Sequence, residues 1–302
     1  MDNIDKAIIS ELHSNCRISY DELGQKVGLS SSAVWRRVTE LEENGVIERY
    51  ILTLNPSIIR AEFVNAVISL DGVYSEDEIM ESLVQHEAII AATSIINRLC
   101  MVSYEANSPS EQESISEYLR SIPGVVAVDI YNIQGFENNE RTNIDVEFSA
   151  DEKEVLQLLI DNPRASINEI VEDIGKPYRK IKKTLEDIME SEKVRFGLQW
   201  NPNAKGNEMF ILKIDLKKGI TLDNICSWLE MEFPKNYWWS FPVVNRGCIL
   251  SNFIFERIDY AIDAKRRVSD NEMVHSVELF FVVSRFKRAR LPERLLRKSI
   301  CS

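Results

Sequence analysis

The chain has 302 residues, of which 44% are hydrophobic and 28% are charged, and its formal net charge is -12. This composition can supply several hydrophobic cores and lacks the bias of a disordered chain. The N-terminus carries Asp2 and Asp5 instead of a basic and then apolar run, and no apolar stretch approaches the length of a bilayer-spanning helix. The sequence therefore predicts a globular, cytoplasmic protein with no membrane partner.

Three short helices are predicted at the start of the chain. Apolar residues recur at helical spacing over 4–12, and the capping box at 19–22 begins a second helix. Gly28 ends that helix, and Ser30 is placed to cap a third helix that ends near Gly45. This series, with its tight middle turn, is typical of a helix-turn-helix.

A wing is predicted after the third helix. Apolar pairs at 46–47 and 50–52 indicate two short strands. The whole series recurs later, with a capping box at 166–169, a third helix from about Pro177 and a wing over Val194–Trp200. The sequence therefore predicts two winged helix-turn-helix units.

Each of these units is followed by the order strand, helix, two strands, helix, strand. This βαββαβ order is that of a ferredoxin-like domain. In the first half, strands are predicted near 63–70, 90–97, 99–104 and 125–133, with helices near 76–86 and 110–120. In the second half, strands are predicted near 209–216, 238–244, 248–255 and 274–283, with helices near 222–232 and 258–268.

The predicted fold class is α+β, with two winged helix-turn-helix domains alternating with two ferredoxin-like βαββαβ domains. The predicted boundaries are 1–56 and 150–202 for the winged domains, 57–134 and 203–284 for the ferredoxin-like effector or oligomerisation domains, 135–149 for a linker and 285–302 for a basic C-terminal tail. The tail is expected to form an amphipathic helix that braces against DNA phosphates, an acidic patch of the same protein or another protein.

The two halves repeat each other at a distance of about 147 residues. The run 95–98, followed by Cys100, returns as 243–246, followed by Cys248. A period of this length is the size of a whole domain pair and indicates a duplicated module. The five cysteines are far apart, without a C-x-x-C pair, and predict reduced, mostly buried thiols with no metal or cofactor.

Several short runs within residues 2–56 carry a family resemblance. They are Ile4-Asp5-Lys6, Arg17-Ile18-Ser19-Tyr20, Glu22-Leu23, Val27-Gly28-Leu29-Ser30, Arg37-Val38, Leu41-Glu42 and Gly45-Val46-Ile47. With these runs the segment resembles the Lrp/AsnC family of prokaryotic transcription regulators. The resemblance extends more loosely over the ferredoxin-like effector and oligomerisation domain, and only by pattern over residues 150–284. It implies a DNA-binding winged helix joined to a domain that dimerises through its sheet and commonly binds an amino acid or another small effector.

The third helix of each helix-turn-helix unit is the predicted DNA-reading element. Its candidate residues are Ser31, Ser32, Trp35, Arg36, Arg37 and Thr39 in the first unit, and Lys176, Tyr178, Arg179, Lys180, Lys182 and Lys183 in the second. Ser31 and Ser32 suit phosphates or base edges, and Arg36 suits guanine. The cations of the second unit suit phosphates. Arg37 fits either a phosphate contact or a structural ion pair, and Trp35 fits either a DNA contact or packing on the wing.

Two repeated turns are candidate effector sites. Asn97 and Arg98, and again Asn245 and Arg246, stand where family members usually show a Gly-x-Tyr-Asp type signature. Arginine offers a planar fork for a carboxylate or phosphate. Alternatively, these are hairpin turns in which asparagine tolerates a positive φ. The aromatic run 237–241 likewise predicts either core or interface packing, or an aromatic-lined pocket.

The predicted function is that of a sequence-specific, DNA-binding transcription regulator. Its partners would be double-stranded DNA and a small effector of unknown identity, and the chain would form a pseudo-dimer on its own, with a homodimer as the alternative. Two other functions fit the architecture: an enzyme similar to sirohaem decarboxylases, and a protein-interaction adaptor that no longer reads DNA. We expect no enzyme, because no histidine is adjacent to the Asn-Arg pairs.

Overall fold

The computed structural model describes residues 1–55, 62–106, 108–133, 146–287 and 291–301. The chain divides into two compact units, each built from both sequence halves. The helical unit comprises Met1–Arg60, Asn139–Lys205 and Leu291–Ser302, and the sheet unit comprises Ala61–Asn138 and Gly206–Arg290.

The second half of the chain repeats the order of elements of the first. The first half contains α1 (Asn3–Ser14), α2 (Tyr20–Val27), α3 (Ser31–Glu43), β1 (Ile47–Leu54), β2 (Glu62–Leu70), α4 (Glu76–Leu83), β3 (Ile89–Ile95), β4 (Leu99–Ala106), α5 (Pro109–Ser121) and β5 (Val125–Ile133). The second contains α6 (Ala150–Asp161), α7 (Ile167–Ile174), α8 (Tyr178–Glu190), β6 (Val194–Trp200), β7 (Glu208–Leu216), α9 (Leu222–Glu232), β8 (Tyr237–Val243), β9 (Cys248–Phe255), α10 (Ile258–Ser269) and β10 (Val274–Lys287), followed by α11 (Leu291–Cys301). The predicted α+β fold class is confirmed.

The predicted caps set the limits of the helices in the helical unit. The Ser19 hydroxyl accepts a hydrogen bond from the Glu22 backbone N–H (3.1 Å), and Gly28 ends α2 with a φ of 71°. At Gly24 the chain comes so close to Leu29 that an added Cβ would lie 2.5 Å from the Leu29 carbonyl oxygen. Only glycine fits there, and the turn between α2 and α3 is therefore tight.

The first wing differs from the prediction of two strands, whereas the second is one strand over the predicted residues Val194–Trp200. Residues 47–54 form one continuous strand, β1, and this strand pairs antiparallel with β6 of the other repeat. The register runs from Ile47 opposite Trp200 to Leu54 opposite Val194. The prediction of strands at 46–47 and 50–52 was wrong, because the main-chain groups of β1 find their partners in the second repeat instead of in a local hairpin.

A shared hydrophobic core joins both repeats and α11 in the helical unit. Cys16 and Leu52 of the first repeat pack in it with residues of α6, α7 and α8, such as Leu159. From α11, Leu296 is fully buried and Ile300 nearly so. The predicted C-terminal helix therefore exists, and part of its apolar side lies in this core.

The sheet unit consists of eight strands in one closed sheet, in the order β10-β3-β4-β2-β5-β8-β9-β7. The predicted βαββαβ order is present in each half. One core lies between each half's strands and its own helices, and a third core lies between the two sets of strands. We call this third core the central core. It includes Tyr131 and Ile133 from the first half and Leu250 and Phe280 from the second.

The two Asn-Arg turns, although similar in sequence, differ in structure. In the turn between β3 and β4, Asn97 and Arg98 have positive φ angles of 66° and 59°. This confirms the expected hairpin turn at Asn97. The turn between β8 and β9 is one residue longer, and Asn245 is not among the residues with positive φ.

The aromatic run 237–241 packs on both sides of β8. Tyr237 is buried in the core between strands and helices of the second half, whereas Trp239 and Phe241 pack against the central core. The Phe241 ring lies 6.1 Å from that of Phe63, a residue of the first half. Packing in cores therefore accounts for these three residues.

Among the residues that the structure describes, no helix has the length and apolar character required to cross a membrane. Over the same residues there is no cluster of side chains that could hold a metal ion. The described cysteines are free thiols, and Cys16, Cys100 and Cys248 are buried.

Candidate nucleic-acid interface

The first candidate reading surface is the outer face of α3. Val34, Val38 and Leu41 are buried and hold the helix against its own domain. Ser32 and Arg36 are exposed, and the Trp35 side chain is 55% exposed. Packing of Trp35 on the wing does not explain this exposure. Ser31 and Thr39 are half-buried at the border of the same face.

Arg37 has a structural role in the first unit. Its guanidinium forms ion pairs with Asp2 (2.9 Å) and Asp5 (2.7 Å) at the start of α1. The hydrogen bond to Asp5 raises the pKa of Arg37, so its charge is fixed. Of the two predicted roles for Arg37, the structure shows the ion pair, which ties α3 to α1.

The second candidate surface is the N-terminal half of α8. Ile181 and Leu185 are buried, whereas Arg179, Lys180, Lys182 and Lys183 are all exposed. Tyr178, the first residue of the helix, is 49% exposed. The four cations lie on two turns of one helix, so they form a strip of positive charge on a chain whose net charge is -12.

Acidic residues of α6 neutralise part of this positive charge. Asp151 lies 2.8 Å from Lys176 and 2.8 Å from Lys180, and Lys176 also bonds Glu154. The hydrogen bond from Lys176 lowers the pKa of Asp151. Lys176 and Lys180 therefore position α8 against α6.

The remaining cations of α8 are more available to a partner. Lys182 lies 3.7 Å from Glu186, one turn further along the helix. Arg179 and Lys183 make no ion pair with any residue that the structure describes. These two side chains are the charges that are best placed for an external anion.

Two arginines in matching repeat positions hold the two helix-turn-helix repeats together. Arg17 donates to the Pro163 carbonyl (2.6 Å) and the Ala165 carbonyl (2.9 Å) of the second repeat. Arg164 donates to the Tyr50 hydroxyl (2.9 Å) of the first repeat. These crossed contacts add to the pairing of β1 with β6, so the two candidate surfaces belong to one compact unit.

The candidate effector turns use their arginines for contacts within the protein. Arg98 donates to the Asp71 carbonyl (3.1 Å) and lies against Gly72. Arg246 pairs with Asp129 (2.9 Å), and its guanidinium lies 4.5 Å from the centre of the Tyr131 ring.

Asn245 binds backbone instead of facing an open pocket. Its side-chain oxygen accepts from the Asn132 N–H (3.1 Å), and its amide donates to the Ile130 carbonyl (3.1 Å). Because both partners lie on β5, the second Asn-Arg pair joins the two halves of the sheet unit.

Sequence reasoning missed the acidic partners of this site. Asp2, Asp5 and Asp151 neutralise three of the cations that were predicted to bind DNA. A signal was present, because Asp2 caps α1 and Asp151 stands in the first turn of α6, where acids are favourable. The sequence did not show that the following helices bring basic residues to these ends.

Comparison with known proteins shows that the first helix-turn-helix repeat is similar to a DNA-binding family. A family model described as winged helix-turn-helix DNA-binding matches residues 1–48. An HTH-type transcriptional regulator of Pyrococcus horikoshii is 46% identical over 71 residues, which cover 24% of this chain and 45% of that protein. The regulator LrpA of the same organism is 28% identical over 134 residues, covering 42% of this chain and 92% of that protein.

These matches confirm the resemblance of the first half to Lrp/AsnC-type regulators. The chain spans about half the length of the first curated relatives that it matches, 45% and 48%. Over the whole chain, the fold is similar to the crystal structure of the siroheme decarboxylase NirDL. The TM-score is 0.58 at 12% identity, with 99% of both chains covered. At this identity the likeness shows the fold alone.

Proposed function

We propose that this protein is a DNA-binding transcription regulator that acts in the cytoplasm as an intrachain pseudo-dimer. One observation carries the proposal: a single unit presents two exposed third helices, with Ser32, Trp35 and Arg36 on α3 and a cationic strip on α8. A helix of this kind fits the major groove, and its N-terminal residues face the bases. Lysines and arginines beside it supply the attraction for phosphates.

The net charge of -12 does not oppose this proposal. Association with DNA depends on the local field at the binding surface more than on the sum of charges. The strip on α8 contains four exposed cations over residues 179–183, whereas the acidic residues of the same helix begin at Glu186. DNA would therefore meet a positive surface at α8 although the whole chain is acidic.

The test is the salt dependence of binding to double-stranded DNA, measured by fluorescence anisotropy at several salt concentrations. Each lost phosphate contact lowers the slope of log K against log salt by about 0.9. The double substitution Arg179→Ala with Lys183→Ala should therefore reduce the slope by about 1.8. The charge-matched control is Lys217→Ala with Lys218→Ala, because both lysines are exposed in the sheet unit. Absence of binding by the unaltered protein would reject the proposal.

A second candidate function is tetrapyrrole decarboxylation, because NirDL, a siroheme decarboxylase, shares the fold over the whole chain. The described contacts of the arginines at the two turns are Asp71, Gly72, Asp129 and Tyr131, none of which is a histidine. Incubation with siroheme, followed by mass spectrometry of the tetrapyrrole, tests this function. Loss of carboxyl groups from siroheme in the presence of the protein, but not in its absence, would show that the protein is an enzyme.

We also propose that a small effector binds in the sheet unit. Trp239 and Phe241 pack against a core shared by both halves, so a ligand that enters between the halves should alter tryptophan emission. Titration with a panel of amino acids and other small carboxylates would detect it. An emission spectrum that no compound of the panel changes would show that the protein binds no effector of these classes in the sheet unit.

A further inference from the structure

The two third helices expose side chains of different chemistry. On α3 the exposed residues include a hydroxyl, an indole and one guanidinium, those of Ser32, Trp35 and Arg36. On α8 four of the five exposed residues from 178 to 183 are cations. Hydroxyl, aromatic and guanidinium groups can distinguish base edges, and α8 also exposes one aromatic and one guanidinium group, those of Tyr178 and Arg179. Its other three exposed side chains in this range are lysines, whose ammonium groups act as point charges that suit any phosphate.

Charge neutralisation inside the protein increases this difference. In the first repeat Arg37 is held by Asp2 and Asp5, so Arg36 is the exposed cation that remains on the N-terminal turns of α3. In the second repeat Arg179 and Lys183 remain available even after Asp151 has bound Lys180. The attraction for phosphate is thus concentrated on α8.

We infer that the two helix-turn-helix repeats, here called the two heads, have different roles. In the first head α3 reads the base sequence, and in the second head α8 binds the neighbouring DNA through its phosphates, largely independently of sequence. This inference rests on the proposed function and specifies its DNA target. The operator would be asymmetric, with one conserved half-site. The second half-site, about one helical turn or 10 base pairs away, would be occupied but variable in sequence.

The rigid connection between the heads makes this division effective. Pairing of β1 with β6, together with the crossed contacts of Arg17 and Arg164, keeps α8 at a fixed position relative to α3. Once one head is bound, the other meets DNA as an intramolecular event at high effective concentration. A phosphate-binding head therefore increases affinity for every site that α3 selects.

Selection of bound sequences from random double-stranded DNA tests the inference, in combination with footprinting of the selected sites. The unaltered protein should enrich one half-site and protect a second, variable segment beside it. Two conserved half-sites, palindromic or not, would overturn the inference while leaving the proposed function intact. Failure to bind any DNA would instead reject the proposed function.

Two pairs of substitutions separate the roles of the heads. Ser32→Ala with Trp35→Ala changes no charge, so we expect at least a roughly tenfold loss of specific over non-specific affinity with an unchanged salt slope. Arg179→Ala with Lys183→Ala should keep the enriched motif, lower affinity for all sequences alike and reduce the salt slope. Circular dichroism melting of each variant controls for folding. A changed motif after substitution on α8 would show that this head reads bases and would contradict the inference.

Discussion

At the scale of single residues, Arg17 and Arg164 occupy matching positions in the two repeats and form the same local turn. Both follow an asparagine by two positions, and in each case that asparagine side chain accepts a hydrogen bond from the arginine's own backbone N–H (2.9 and 3.2 Å). The sequence repeats this Asn-x-Arg spacing, and the same local turn occurs at both places. It does not predict that each guanidinium crosses to the other repeat, because that contact depends on how two separate domains pack.

The crossed contact of Arg17 should contribute measurably to the stability of the helical unit. Arg17→Ala leaves two carbonyl groups without their donor, and we expect the free energy of unfolding to fall by about 1–3 kcal/mol. Urea denaturation followed by circular dichroism measures the change. Lys26→Ala is the control, because the ion pair of Lys26 with Glu11 lies on the surface and should contribute little. Equal effects of both substitutions would argue against a joining role for Arg17.

Burial of three thiols gives stability a dependence on alkaline pH. Burial raises the pKa of Cys16 and Cys248 to about 11 and that of Cys100 to about 12, from 9.0. The unfolded chain therefore loses these protons first. Their contribution to stability is complete below pH 9 and is lost as the pH rises toward 11 for Cys16 and Cys248 and toward 12 for Cys100.

The free energy of unfolding should therefore fall between pH 9 and 11, by up to about 1.4 kcal/mol per pH unit for each thiol. Cys248→Ala should make this fall shallower than in the unaltered protein, after the offset between the two proteins at pH 8 has been subtracted. Guanidinium denaturation at each pH supplies the values. If the free energy of unfolding falls with pH equally steeply in both proteins, Cys248 ionises as readily in the folded state as in the unfolded chain.

At the scale of elements, the length of the turn between β8 and β9 places equivalent residues of the two repeats on different faces of their strands. Sequence alignment pairs Cys100 with Cys248, but the longer second turn moves β9 by one residue. A shift of one residue exchanges the two faces of a strand. Cys100 consequently lies in the core beneath the helices, whereas Cys248 lies in the central core. Local patterns predict the existence and order of the strands, and the turn length decides which face each residue occupies.

Deletion of one residue from this turn tests whether the pairing of β8 with β9 depends on the length of the turn. Deletion of Gly247 would shorten the turn to the length of the first one, in which Ile95 pairs with Leu99 as Val243 pairs with Cys248, so we expect Leu250 to stay in the central core and the sheet unit to stay folded. Gly247→Ala should change the free energy of unfolding by less than about 0.5 kcal/mol, because nothing lies within 4 Å of an added Cβ. Thermal unfolding monitored by tryptophan fluorescence compares the two variants. A deletion variant that loses the folded sheet unit would show that the pairing of β8 with β9 requires the fourth residue of this turn.

At the scale of the whole molecule, both units draw on both halves of the sequence. β1 pairs with β6 in the helical unit, and β5 pairs with β8 while β10 pairs with β3 in the sheet unit. Sequence reasoning could predict the duplication and both kinds of domain, because helix caps, glycines and apolar spacing are local signals. It could not predict the pairing of β1 with β6, since the residues that pair are about 150 positions apart.

A half chain should therefore lack partners that the full chain supplies to itself. Residues 1–133 alone would expose the unpaired edges of β1, β3 and β5 and one side of the central core. We expect this half to form homodimers, because a second copy can offer strands similar to those of the missing half.

Light scattering after size-exclusion chromatography measures both masses. The full chain, as an intrachain pseudo-dimer, should elute as a monomer of 34.8 kDa, and the half chain should elute at twice its own mass. The alternative of a homodimer of full chains predicts twice 34.8 kDa at all accessible concentrations. A folded, monomeric half chain would contradict the pseudo-dimer most directly, because its exposed strand edges would then be stable without a partner.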